Sequence, residues 1–205
     1  MYRTLVGIGL ICALVIVMVF EVTFPIIKVN KRRALEAAIY QVLSETKSFA
    51  AYTVDRDKNL QKASNSGTPD IYACFDVNQS LIGFAIPAQG MGYQDTIGLL
   101  YGYSIHSRSI QGLVVLQSRE TPGLGSKIES SAFLQNFNGI ELDLKTTDGD
   151  GRQLLELIKN VPKTHSRQID AITGATVSSQ AVVTILNRSV GFWLPIVAQQ
   201  KEHIT

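Results

Sequence analysis

The run Asp170-Ala171-Ile172-Thr173-Gly174-Ala175-Thr176-Val177-Ser178-Ser179 has the residue types and spacing to hold an anion and to carry a covalent ester. Gly174 and Ala175 leave the main chain bare just ahead of a predicted helix, and the first amides of a helix have no acceptor within it. Such a start attracts negative charge, both through its free N–H groups and through the positive end of the helix dipole. A phosphate esterified to the Thr176 hydroxyl would meet the amides of Val177, Ser178 and Ser179, and the hydroxyls of Ser178 and Ser179 could serve it as well. Taken by itself, the run reads more simply as a helix cap, with Thr176 as the N-cap residue.

A second run, Glu120-Thr121-Pro122-Gly123-Leu124-Gly125, is followed by Ser126 and Lys127. Two glycines beside a proline make a stiff turn and let a ligand come close to the backbone. A loop of this kind can turn its N–H groups toward the carbonyls and ring nitrogen of a flat flavin. A plain Pro-Gly hairpin turn explains the same residues, and the sequence gives Glu120 no task of its own.

The elements that must position these runs follow from periodicity. Leu35, Ile39, Val42 and Leu43 recur at helical spacing. Tyr72 to Val77 and Leu81 to Ile86 flank the turn Asn78-Gln79-Ser80, while Thr96 to Ile105 and Ile110 to Gln117 flank His106 to Ser109, which predicts an antiparallel sheet. Helices are expected over Ser131 to Phe137 and from near Val177, where Ala181, Val182, Ile185 and Leu186 share a face. Asp55 to Asp70 is polar and reads as a surface loop. Leu154 to Ile158 is too short to assign. The fold class expected is α+β, an antiparallel sheet with helices behind one amino-terminal membrane helix.

That membrane helix is read from Leu5 to Phe20, which carries no charged side chain, and from the apolar residues that continue past Glu21 to Ile27. At about 1.5 Å per residue it crosses a hydrocarbon core of roughly 30 Å. Glu-Val-Thr-Phe-Pro-Ile offers no small-x-small cleavage site, so an anchor is expected in the lipid bilayer rather than a signal peptide. Residues 1–33 then form the anchor and its basic flank, and 34–205 the domain. Lys28, Lys31, Arg32 and Arg33 outnumber Arg3, which by the positive-inside rule places the domain in the cytoplasm; the same residues also suit anionic headgroups. The formal charge of +2 and the lack of a basic stripe argue against nucleic acid. Cys12 and Cys74 read as isolated thiols, and His106, His165 and His203 are too scattered for a metal site.

Together these residues resemble the FMN-binding domain shared by the G subunit of the Rnf (Rsx) electron-transport complex and the C subunit of the sodium-translocating NADH:quinone reductase. The likeness runs through the amino-terminal span, Gly92-Tyr93, Glu120 to Gly125 with Lys127-Ile128-Glu129, and Asp170 with Thr173 to Thr176, and it fits the Rnf protein better. The sequence departs from the family at Gln94-Asp95-Thr96, where a further glycine is expected, and nothing from Lys145 to Ile169 aligns. The resemblance implies that Thr176 carries FMN through a phosphoester and that an FAD-dependent flavin transferase installs it, recognising the run that opens at Asp170. It implies an electron carrier in the cytoplasmic (inner) membrane, crossing once, with the domain on the extracytoplasmic side and the other subunits of an Rnf-type complex as partners. The same domain type also occurs in membrane redox sensors and maturation proteins, and a flavin-free scaffold could keep the fold.

Overall fold

The structure, a computed structural model, describes residues 2–55, 58–63, 69–142 and 154–200. Parts of the predicted 55–70 loop and of the unaligned 145–169 stretch, together with His203, lie outside the described residues. The chain forms two units, Met1–Ala37 and Ala38–Thr205.

The first unit is helical. Helix α1 runs Tyr2–Val42 as one element, where periodicity suggested a span and a separate amphipathic helix. Its most apolar stretch has a mean hydropathy of 2.8 and none of it is buried, so the helix is long and apolar enough to cross a membrane. Pro25 lies inside it. Thr23 Oγ1, two residues earlier, donates back to the Val19 carbonyl at 2.7 Å.

The second unit is built on a seven-stranded antiparallel sheet in the order β2-β1-β3-β4-β5-β6-β7. Its strands are β1 (Ser48–Val54), β2 (Leu60–Lys62), β3 (Ile71–Phe75), β4 (Leu81–Met91), β5 (Thr96–Ser104), β6 (Ser109–Gln117) and β7 (Ile140–Glu141). The α+β class expected from the sequence is the one found. The β3–β4 turn is held by Asp76, whose Oδ1 accepts from the amides of Asn78 at 2.7 Å and Ser80 at 2.8 Å. This is the side-chain mimicry of a turn that Asp performs well. Register partners Gly102 and Gly112 leave the sheet bare where the Val42 backbone lies against it.

The other face of the sheet carries α3 (Thr176–Gln200), whose Val182, Val183, Ile185, Leu186, Val190 and Trp193 are buried with Phe84, Ile86, Leu99 and Tyr101. By length and composition α3 could also cross a membrane, but half of its most apolar stretch is buried inside the domain, which marks it as a core helix. Each such side chain removed from water contributes about 1.5–3 kcal/mol. Tyr101 is fully inside, its hydroxyl 3.1 Å from Ser189 Oγ, and burial raises its pKa.

Two short strands the sequence left unassigned complete the frame. β8 (Glu156–Ile158) and β9 (Gln168–Asp170) pair in parallel. Asn187 of α3 fastens β8 by accepting from the Leu155 amide at 2.8 Å and donating to the Leu155 carbonyl at 2.9 Å. β9 therefore delivers Asp170 at the start of the first motif. The helix expected over Ser131 to Phe137 is one α turn, α2 (Ser131–Leu134), followed by a 3-10 turn, Gln135–Phe137.

Candidate functional site

The site is built where three stretches of chain meet: the end of β4, the loop after β6, and the turn between β9 and α3. The last of these is a tight turn. Gly174 takes φ +83°, which glycine adopts without strain, and the Ala175 amide donates to Ile172 O at 2.9 Å. The first α-helical bond runs from the Ser179 amide to the Ala175 carbonyl at 3.0 Å. Ala175 thus stands in the N-cap position, and Thr176 is the first residue of the helix rather than its cap. The amides of Thr176, Val177 and Ser178 have no acceptor among the described residues.

Two expectations about this turn change. The Ser179 amide is not free, and neither serine hydroxyl is open. Ser179 Oγ, fully buried, accepts from the Ile172 amide at 3.1 Å and donates to Ala175 O at 2.9 Å, latching the turn onto the helix. Ser178 Oγ donates to Glu120 Oε2. The open amides sit one residue earlier than the sequence suggested because the helix begins one residue earlier.

Glu120 acquires a task that its sequence neighbours do not reveal. Its carboxylate is buried, at 5% exposure, and accepts from Ser178 through one oxygen and from the Gln94 amide at 3.0 Å through the other. It joins all three stretches. Gly125 is small for the same reason: a Cβ there would lie 2.8 Å from Ser178 Oγ and 2.9 Å from Glu120 Cβ. Gly92 faces Glu120 likewise. These glycines make room for the carboxylate.

The loop itself spends most of its amides internally. Leu124 and Ser126 both donate to Thr121 O, at 3.2 and 3.1 Å, and Gly123 donates to Ser126 Oγ at 2.9 Å. Only the amides of Thr121 and Gly125, among the described residues of this loop, remain without an acceptor; Pro122 has none to give. Leu124 is half exposed and reaches the other motif, its Cδ2 lying 3.5 Å from where a Gly174 Cβ would stand.

Two clefts open at this junction, and Thr176 and Val177 stand in the walls of both. One, of about 420 Å³, lies between Tyr93, the loop residues Glu120, Thr121, Leu124 and Gly125, Lys159, and Gly174 to Ser178. The other, of about 560 Å³, lies between Gln89 to Met91 at the end of β4, the following Gly92, and the Val177, Gln180, Ala181, Thr184, Ile185 and Arg188 side of α3. Both fall within the roughly 300–1,000 Å³ of small-molecule sites.

Several predicted residues stand apart from these clefts. Thr173 is exposed in the turn, Asp170 is exposed and paired with Lys163 at 3.2 Å, and Pro122, Gly123, Lys127 and Ser179 line neither cleft. The cations present are instead Lys159 and Arg188, which the sequence reading missed. A signal existed for one of them. Val177, Gln180, Thr184 and Arg188 follow helical spacing along α3, whereas Lys159 is placed only by the β8–β9 pairing.

Residues 92–191 match the family model described as the FMN-binding domain. Among curated relatives, the chain is similar to the G subunit of the ion-translocating oxidoreductase complex of Methanosarcina acetivorans, at 29% identity over 92% of this chain and 90% of that one. It is also similar to the G subunit of the proton-translocating ferredoxin:NAD(+) oxidoreductase complex of Clostridium ljungdahlii, at 28% identity over 88% and 83%. Two crystal structures share the fold. They are Shewanella oneidensis NqrC, with a TM-score of 0.52 and 20% identity over 80% of this chain and 73% of that one, and the C subunit of the Na(+)-translocating NADH-quinone reductase of Parabacteroides distasonis, with 0.56 and 18% over 74% and 78%.

Proposed function

We propose that this chain is the membrane-anchored, FMN-bearing G subunit of an Rnf-type ion-translocating oxidoreductase complex, and that it holds its flavin as a phosphoester on Thr176. The observation that carries the reading is the position of Thr176. Its hydroxyl opens a helix whose first three amides have no acceptor among the described residues, at the meeting point of two clefts. A phosphate on that oxygen is met by the N–H groups of Thr176, Val177 and Ser178 and by the helix dipole.

The residues around it fit FMN. Tyr93, at 68% exposure, and Leu124, at 49%, are apolar surface left without cover. They border the cleft that also holds the open amides of Thr121 and Gly125 and the Lys159 ammonium, groups suited to ring carbonyls. FMN supplies a carrier that takes and returns electrons singly or in pairs. The protein supplies position: Glu120 and Ser179 hold the turn, and Gly174 and Ala175 keep the approach to Thr176 clear. Attachment by an FAD-dependent transferase forms the Thr176 Oγ–P bond as the P–O bond to the AMP leaving group breaks, with the hydroxyl proton passing to base.

Helix α1 would anchor the protein, and the family resemblance favours an extracytoplasmic domain, with Lys28, Lys31, Arg32 and Arg33 on lipid headgroups. The full chain co-expressed with a flavin transferase should gain the mass of one FMN less one water, mapped to Thr176, and fluoresce after denaturation. Thr176→Val should lose all of it while staying folded, and Thr173→Val should only lower the yield. Covalent FMN retained in folded Thr176→Val refutes the assignment.

A further inference from the structure

We propose that the 560 Å³ cleft beside α3 is a second seat for the same flavin ring, so that the tethered group exchanges between two positions that share its attachment residue. The inference rests on Thr176 as the attachment site. A covalent tether fixes the phosphate but leaves the ring free about the single bonds of the ribityl chain. Any seat bordering Thr176 therefore sees the ring at high effective concentration. Both clefts border it, and both include Val177, which is 58% exposed.

The second cleft has the chemistry to hold an isoalloxazine. Ala181 and Ile185 form apolar wall, and Met91, at 68% exposure, brings a thioether suited to an aromatic face. Arg188 lies in the same lining, without an acidic partner among the described residues. Its planar guanidinium can hydrogen-bond the carbonyl edge of the ring or stack on it. The first cleft offers a parallel set: Tyr93 and Leu124 as apolar surface and Lys159 as the cation. Two seats of like composition on one tether favour shared occupancy over a single fixed pose. The ring would then meet a donor from one seat and an acceptor from the other.

The test uses the full chain carrying covalent FMN, with attachment verified by intact mass, in a Tyr93→Phe background that removes the native phenol quencher. An indole in contact with an oxidised flavin shortens its fluorescence lifetime. Tryptophan is placed in the second cleft by Gln180→Trp, or by Thr184→Trp if the first is poorly folded, and in the first cleft by Lys159→Trp. Each variant should lose part, and neither all, of the long-lived emission. Adding Arg188→Glu to Gln180→Trp should shrink the quenched fraction. Complete quenching by Lys159→Trp with an unchanged decay in both Gln180→Trp and Thr184→Trp overturns the second seat and leaves the Thr176 assignment standing. Absence of covalent FMN from Thr176 overturns both.

Discussion

Replacing Glu120 separates a structural clamp from a flavin ligand, because the two roles differ before any flavin is present. Glu120→Ala removes the acceptor of the Ser178 hydroxyl, 3% exposed, and of the Gln94 amide, which lies nearer solvent. A buried polar group left unpaired costs about 1–3 kcal/mol, and the Gln94 amide recovers part of its share from water, so the loss is about 2–4 kcal/mol. For a domain of this size that is a drop in Tm of about 5–15 °C. Glu120→Gln keeps a carbonyl for one partner, and the Ser178 hydroxyl can rotate to accept from the new amide, so it costs about 1 kcal/mol. The assay is thermal unfolding of flavin-free full-length protein in detergent, followed through the single tryptophan, Trp193, which is 8% exposed. Flavinylation should fall in Glu120→Ala, with its loosened helix start, and recover in Glu120→Gln. A flavin-free Glu120→Ala protein within about 2 °C of the parent refutes the clamp and makes the carboxylate a ligand.

Gly125→Ala forces a Cβ to 2.8 Å from Ser178 Oγ and should cost about 1–3 kcal/mol through overpacking. Gly123→Ala meets open space but must hold φ +76°, so its cost is backbone strain of about 1–2 kcal/mol; thermal unfolding should rank Gly125→Ala as the more damaging and as the one that also lowers flavinylation. Burial pushes the Cys74 thiol up to about 11, so at pH 8 its reactive thiolate is roughly a thousandth of the population. In a Cys12→Ser protein a thiol reagent should label Cys74 only after denaturation, and rapid labelling of the native protein contradicts the packing of β3. Asn78→Cys in the same background puts a thiol on an exposed turn, and an impermeant reagent should reach it in spheroplasts without lysis if the domain lies outside the cytoplasm. Labelling only after lysis returns the topology to the one the basic flank suggests.

Much of the scaffold was legible because its causes are local. The hairpins between 71 and 117 announce themselves through turn residues such as Asn78-Gln79-Ser80 and through apolar runs of strand length, and α3 through a buried face repeating at three and four residues. The apolar run of α1 is a compositional fact. β1 escaped because every one of its residues is half-buried, which leaves no alternation to detect, and β8 and β9 because three-residue parallel strands carry almost no pattern.

The sequence by itself determined that a bare Gly-Ala step precedes a helix at Thr176, and that a Pro-Gly loop follows the last long strand. Only the tertiary structure decided which groups in those runs are free. Ser178 and Ser179 look available along the chain, yet one is taken by Glu120, 58 residues away, and the other by the turn folded back onto it. Lys127 sits beside the loop in sequence but outside both clefts, and Lys159 and Arg188 stand there instead. The reason is physical. Turns and helix starts are set by the dihedral preferences of a few neighbouring residues, whereas a polar group's partner is set by whichever distant segment the sheet and α3 bring within about 3 Å.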